Sequence, residues 1–191
     1  PHRQKAHLRM IERKYRTFWR RFFAEFVDSL VLLPVTLIAS WVWRQAASVP
    51  LPLLALHYLV TRLLFFIYRI YFLGTHGQTP GKMALGVVVL DVSERRHVSF
   101  RQALLRDAAP LAVMLLLLPY QLFQILTGRF YLLHPGGRPD AISWISSLVL
   151  MVWFLLEIVT MTFNSKRRAL HDLIAGSVVV KTGARPQGAP P

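Results

Sequence analysis

Five ionisable residues sit inside otherwise apolar stretches of this sequence: Glu25, Asp28, Arg62, Arg69 and Glu157. A charge in hydrocarbon is costly, so such groups pair with each other or line a wet cavity. Two chemistries follow. A carboxylate in a partly dry site has a raised pKa and can exchange a proton for a cation. Alternatively, the acids and arginines form a buried salt-bridge network that fixes helix register, or each reaches the head groups individually. Arg21, Glu25 and Asp28 are spaced by four and three residues, so they share a helical face. Arg62 and Arg69 are seven apart and share another. The spacing predicts that the acidic face of the first helix meets the basic face of the second. At 1.5 Å per residue, Asp28 and Glu157 lie roughly 9 Å from one end of their helices and Arg69 roughly 6 Å.

Other candidate chemistry is weaker. Gly77-Gln78-Thr79-Pro80-Gly81-Lys82 misses the phosphate-loop pattern, since the glycine spacing is short and Met83 replaces the Ser or Thr. It reads as a rigid turn leaving a helix, with Lys82 at the head groups and Gly77, Thr79, Pro80, Gly81 and Lys82 as a candidate interface loop. Lys166, Arg167 and Arg168 lead into His171-Asp172, but no second His or carboxylate stands at ligand spacing. Cysteine is absent. No catalytic set, metal site or cofactor is expected, and the chain is not read as an enzyme.

The elements that position these residues are helices that cross a membrane. The chain has 191 residues, 54% hydrophobic and 17% charged, where soluble domains carry about a quarter charged residues. Four runs, about 22–43, 51–73, 108–126 and 142–163, reach the roughly 20 residues that span hydrocarbon. Trp19, Trp41, Trp43, Tyr71, Phe72, Tyr131 and Trp144 form an interfacial belt. With four spans, eighteen Lys and Arg fall on one side and only Arg44, Arg129 and Arg138 on the other. That bias predicts a multi-pass cell-membrane protein with both termini cytoplasmic.

The net charge of +14 sits beside the apolar runs. It suits anionic lipid head groups rather than nucleic acid. From the leader, residues 1–21, into the start of the first span, Leu8, Ile11, Tyr15, Phe18 and Phe22 line one helical face, with Arg9, Arg13, Arg16 and Arg20 on another. This is a basic amphipathic interfacial helix or a topogenic charge cluster. Val87–Val92, a turn at Ser93–Arg96 and a return strand at His97–Phe100 predict a small cytoplasmic β-hairpin, or a three-stranded sheet with the Val-rich Ser177–Lys181. No internal repeat stands out. Residues 182–191, rich in Pro, Gly and Ala, are expected to be disordered. The expected fold is an all-α membrane protein, a four-transmembrane-helix bundle over 22–181.

Three blocks resemble the RDD family of small polytopic membrane proteins, named for an arginine and two aspartates. Arg21 to Asp28 resembles the family's Arg and first Asp. Gly77 to Val87 resembles its Gly-x-Thr-x-Gly-Lys stretch after the second span. Arg168 to Val179 resembles its closing Leu-His-Asp block, and Arg106 the arginine before its third span. The resemblance implies a polytopic bundle of undefined activity. Members look tied to cation/proton exchange or to organising partners in membrane complexes. Either role implies a second copy or a membrane-protein partner.

Overall fold

The computed structural model describes residues 14–130 and 137–184. The leader up to residue 13, Tyr131 and the tail from residue 185 lie outside them. The described chain is mostly helical. In order it runs α1 (Phe18–Val31), α2 (Leu33–Arg44), α3 (Leu51–His76), α4 (Pro80–Ala84), β1 (Val87–Asp91), α5 (Phe100–Arg106), α6 (Ala108–Leu126), α7 (Ala141–Phe163), α8 (Leu170–Ile174) and β2 (Ser177–Lys181).

Three helices, α3, α6 and α7, are long and apolar enough to cross a membrane. The expected first span is instead two helices, α1 and α2, bent by 54° at Leu32, and counts as a fourth only if the pair is one span. Pro34 lies in the first turn of α2. It offers no N–H to the preceding turn and its ring crowds the carbonyl four residues back, which breaks a helix. Leu116, Leu148 and Phe154 are exposed on α6 and α7. Such surfaces suit lipid as the solvent.

The chain divides into two compact units. The second comprises residues 32–68 and 108–153. Leu54, Tyr58, Ile125 and Phe130 form its core, with Trp43 and Leu122 packed against them. At the start of α7, the Asp140 carboxylate accepts from the Ser143 N–H at 2.8 Å and from the Tyr120 hydroxyl.

The first unit takes in residues up to 31, 69–107 and those from 154 onward. Its sheet has two antiparallel strands, with Val87 opposite Lys181 and Asp91 opposite Ser177. The partner of β1 is therefore Ser177–Lys181, and the structure has no hairpin with His97–Phe100. His97 makes an isolated antiparallel bridge to Leu90. Ser99 and Gln102 form a capping box that turns the chain into α5.

A two-stranded sheet is marginal alone. Here Val87, Val89 and Val179 pack on one face with Leu73, Val98 and Ala103. Val88, Leu90, Val178 and Val180 pack on the other with Tyr15. Burial of both faces explains the unbroken valine runs. It also places Tyr15 in a protein core rather than on a lipid-facing stripe.

One pattern escaped the sequence reading. The helix α4 ends at Leu85-Gly86 before β1, and α8 ends at Ala175-Gly176 before β2. Both glycines adopt positive φ, 61° and 60°. Two five-residue helices thus each enter a five-residue strand through a left-handed glycine, where a side chain would be strained.

Candidate functional site

The polar residues of the first unit converge on α1. The Asp28 carboxylate, 5% exposed, accepts from the Thr79 hydroxyl at 2.5 Å and from the Gly81 N–H at 2.8 Å. Thr79 caps α4 and Pro80 opens it. In that first turn the Gly81 N–H therefore faces the carboxylate and the Lys82 N–H is capped by the Thr79 hydroxyl oxygen. A Cβ on Gly81 would collide with the Ala24 carbonyl and come within 2.8 Å of the Asp28 carboxyl carbon. Glycine is required there by this close approach.

Arg21 lies two helical turns before Asp28 and donates to Asp172 at 2.6 Å. Asp172, fully buried, also takes Arg106, the Ser177 hydroxyl at 3.2 Å and the Ala169 N–H at 3.0 Å. Burial alone would raise the Asp172 carboxyl, but Arg106 and Arg21 outweigh it and hold it well below the usual carboxylate range. Arg168 closes the block by donating to the Ser177 and Asp172 carbonyls at 2.8 and 3.0 Å. One face of α1 thus fastens both helix–glycine–strand units, α4 through Asp28 and α8 through Arg21.

Between these anchors runs a chain of ion pairs. Glu25 accepts from Lys82 at 2.7 Å and Arg69 at 2.9 Å, and Arg69 reaches Asp107 at 3.0 Å. On α7, Glu157 meets His171 Nδ1 at 2.6 Å. His171 Nε2 lies 2.9 Å from an Arg106 guanidinium nitrogen. A guanidinium only donates, so Nε2 accepts and Nδ1 carries the proton donated to Glu157. Burial lowers the Lys82 ammonium while Glu25 opposes that shift.

Several expectations change. Arg69 does meet the acidic face of α1, through Glu25. Arg62 belongs to the other unit. Its guanidinium lies 5.0 Å from the Tyr58 ring, and it lines a cavity of about 460 Å³. Asp28 is held by a hydroxyl and a backbone amide. Glu157 pairs with His171, a residue that carried little signal of its own.

The expected interface loop is spent internally. Gly77, Thr79, Gly81 and Lys82 are buried, and Lys82, 3% exposed, is on Glu25 rather than at head groups. Asp107, Ser177 and the Ala169 N–H are additions. Asp107 directly follows Arg106, and that adjacency was the available signal. Among the described residues, no three His, Asp or Glu side chains form a metal-holding group.

The family model of the RDD family matches residues 15–176, which contain Arg21, Asp28, Arg106 and Asp172. No curated protein and no solved structure matches the chain. With the match running from the residue beneath the sheet to the glycine before β2, the chain belongs to the RDD family of small membrane proteins.

Proposed function

We propose that this protein is a non-enzymatic accessory or scaffold subunit of a membrane complex, in which the charged network holds the fold and carries no ions. One observation carries this reading: the network's carboxylates are committed to fixed donors. Glu25 is on Lys82 and Arg69, Asp28 on Thr79 and the Gly81 N–H, Asp107 on Arg69, Glu157 on His171 and Asp172 on Arg21 and Arg106. A carboxylate that cycles between proton and cation needs a wet approach and replaceable partners.

The charge bias supports a cell-membrane location with both termini cytoplasmic, and basic flanks lying against anionic head groups. The partner on this reading is another membrane protein or a further copy of the chain, and nucleic acid plays no part.

Cross-linking in native membranes followed by purification of the full chain tests it. A stoichiometric second protein is expected, and recovery of the chain alone counts against the scaffold role. Proteoliposomes loaded with a pH-sensitive dye should show no sodium- or potassium-driven proton flux. A flux that Asp28→Asn abolishes would establish cation/proton exchange instead.

A further inference from the structure

The second unit holds its cavity of about 460 Å³ among α3, α6 and α7. That volume falls within the roughly 300–1,000 Å³ of small-ligand sites. Phe65, Phe66, Val113, Met114 and Leu117 supply an apolar wall. Arg62 is its charged residue, lying 11 positions into the 26-residue α3.

The polar groups around Arg62 divide by role. Gln121 uses its amide oxygen to accept from the Tyr58 hydroxyl, which leaves its amide hydrogens to donate. Ser146 and Ser147 donate to the Ser143 carbonyl at 2.8 and 2.9 Å, so they offer lone pairs. The donors suited to an anion are therefore Arg62 and Gln121. Among the residues of this unit the one acid is Asp140, which is engaged by Tyr120 and the Ser143 N–H. Arg62 has no carboxylate of its own unit available to it. A guanidinium in that setting is matched by an oxyanion held on its planar fork.

We infer that this cavity binds a monoanionic amphiphile, a single oxyanion on an apolar chain. The oxyanion is held by Arg62 and Gln121, and the chain lies along Phe65, Phe66, Met114 and Leu117. A small inorganic anion would leave the apolar wall unfilled, and a neutral amphiphile would offer the guanidinium no charged partner. The site is built from residues of the second unit alone and needs no protein partner, so it stands or falls separately from the scaffold reading.

The test uses the purified full chain in phosphatidylcholine nanodiscs, titrated with radiolabelled oleate. Saturable binding of one oleate per chain is expected, with affinity about tenfold or more weaker in Arg62→Gln and partly kept in Arg62→Lys. Met114→Trp, which fills the apolar wall and leaves Arg62 in place, should block binding. Acetate and oleyl alcohol should compete poorly. Competition by phosphatidylglycerol placed in the nanodisc would identify a bilayer lipid as the source of the same oxyanion. Variants are compared only where helicity and elution volume match the wild type. Absence of saturable oleate binding, equal binding by Arg62→Gln, or equal competition by acetate overturns the inference.

Discussion

Arg21 and Asp172 stand 151 positions apart in the chain and meet as an ion pair at 2.6 Å. Asp172 is fully buried, so its charge depends on Arg21 and Arg106. Breaking such a pair from one side leaves an uncompensated charge and costs about 3–5 kcal/mol. Arg21→Ala should therefore lower the thermal midpoint in detergent sharply, and Arg21→Lys less. The double variant Arg21→Ala with Asp172→Asn should lose less than the sum of the single changes, because the two share one interaction. Additive losses in that cycle would show that the pair does not hold the fold.

Gly81 makes a second, steric prediction. Its Cα faces the Ala24 carbonyl so closely that a methyl group has no room. Gly81→Ala must push α4 away from α1 and stretch the 2.8 Å bond from the Gly81 N–H to Asp28. A loss of about 2 kcal/mol or more is expected from the clash and the strained hydrogen bond together. Gly183→Ala, where an added Cβ meets nothing within 4 Å, is the matched control. Equal thermal midpoints for the two variants would refute the close-approach argument.

Spacing revealed that Arg21 and Asp28 share a face, because seven residues make two helical turns. It did not reveal their partners. Asp28 is held partly by a backbone N–H, and an amide leaves no mark in the sequence. Charge alone suggested Arg62 for α1, but Arg62 lies in the other unit and stacks on Tyr58. The strand pairing failed for a readable reason. Ser99 and Gln102 are a helix-capping pair, and that signal competes with the alternating apolar positions Val98 and Phe100. The break before Pro34 was equally legible, but overall hydrophobicity hides one missing N–H within a long apolar run. The glycine-linked helix–strand pattern shows in Ala84-Leu85-Gly86 and Ile174-Ala175-Gly176 only once the strands are known to pair.

Asp140 gives a prediction for the second unit. Hydrogen bonds from the Tyr120 hydroxyl and the Ser143 N–H hold its carboxyl at about 2. It caps the start of α7 through that 2.8 Å bond to Ser143. Asp140→Ala should cost about 1 kcal/mol, and Asp140→Asn less, since an amide oxygen still caps. Thermal unfolding at pH 7 checks the order, and an Asn variant as weak as Ala would argue against the cap.

Glu94 ties three segments together in the first unit. It accepts from Lys14, from the Tyr15 hydroxyl at 2.5 Å and from Lys166 at 3.0 Å. Burial would raise its carboxyl, but these donors outweigh burial and bring it down to about 2 from an ordinary 4.5. A folded-state value below the unfolded one means the ionised form favours the fold. The contribution is therefore complete above the unfolded value of 4.5 and disappears as pH falls through about 2. The pairs are partly solvated, so its size is of the order of 1 kcal/mol. Glu94→Gln should unfold earlier than the wild type at pH 7, and the two curves should converge as pH drops from 4.5 toward 2. Melting curves across that range decide it. A gap that stays constant with pH would mean that Glu94 acts through packing rather than charge.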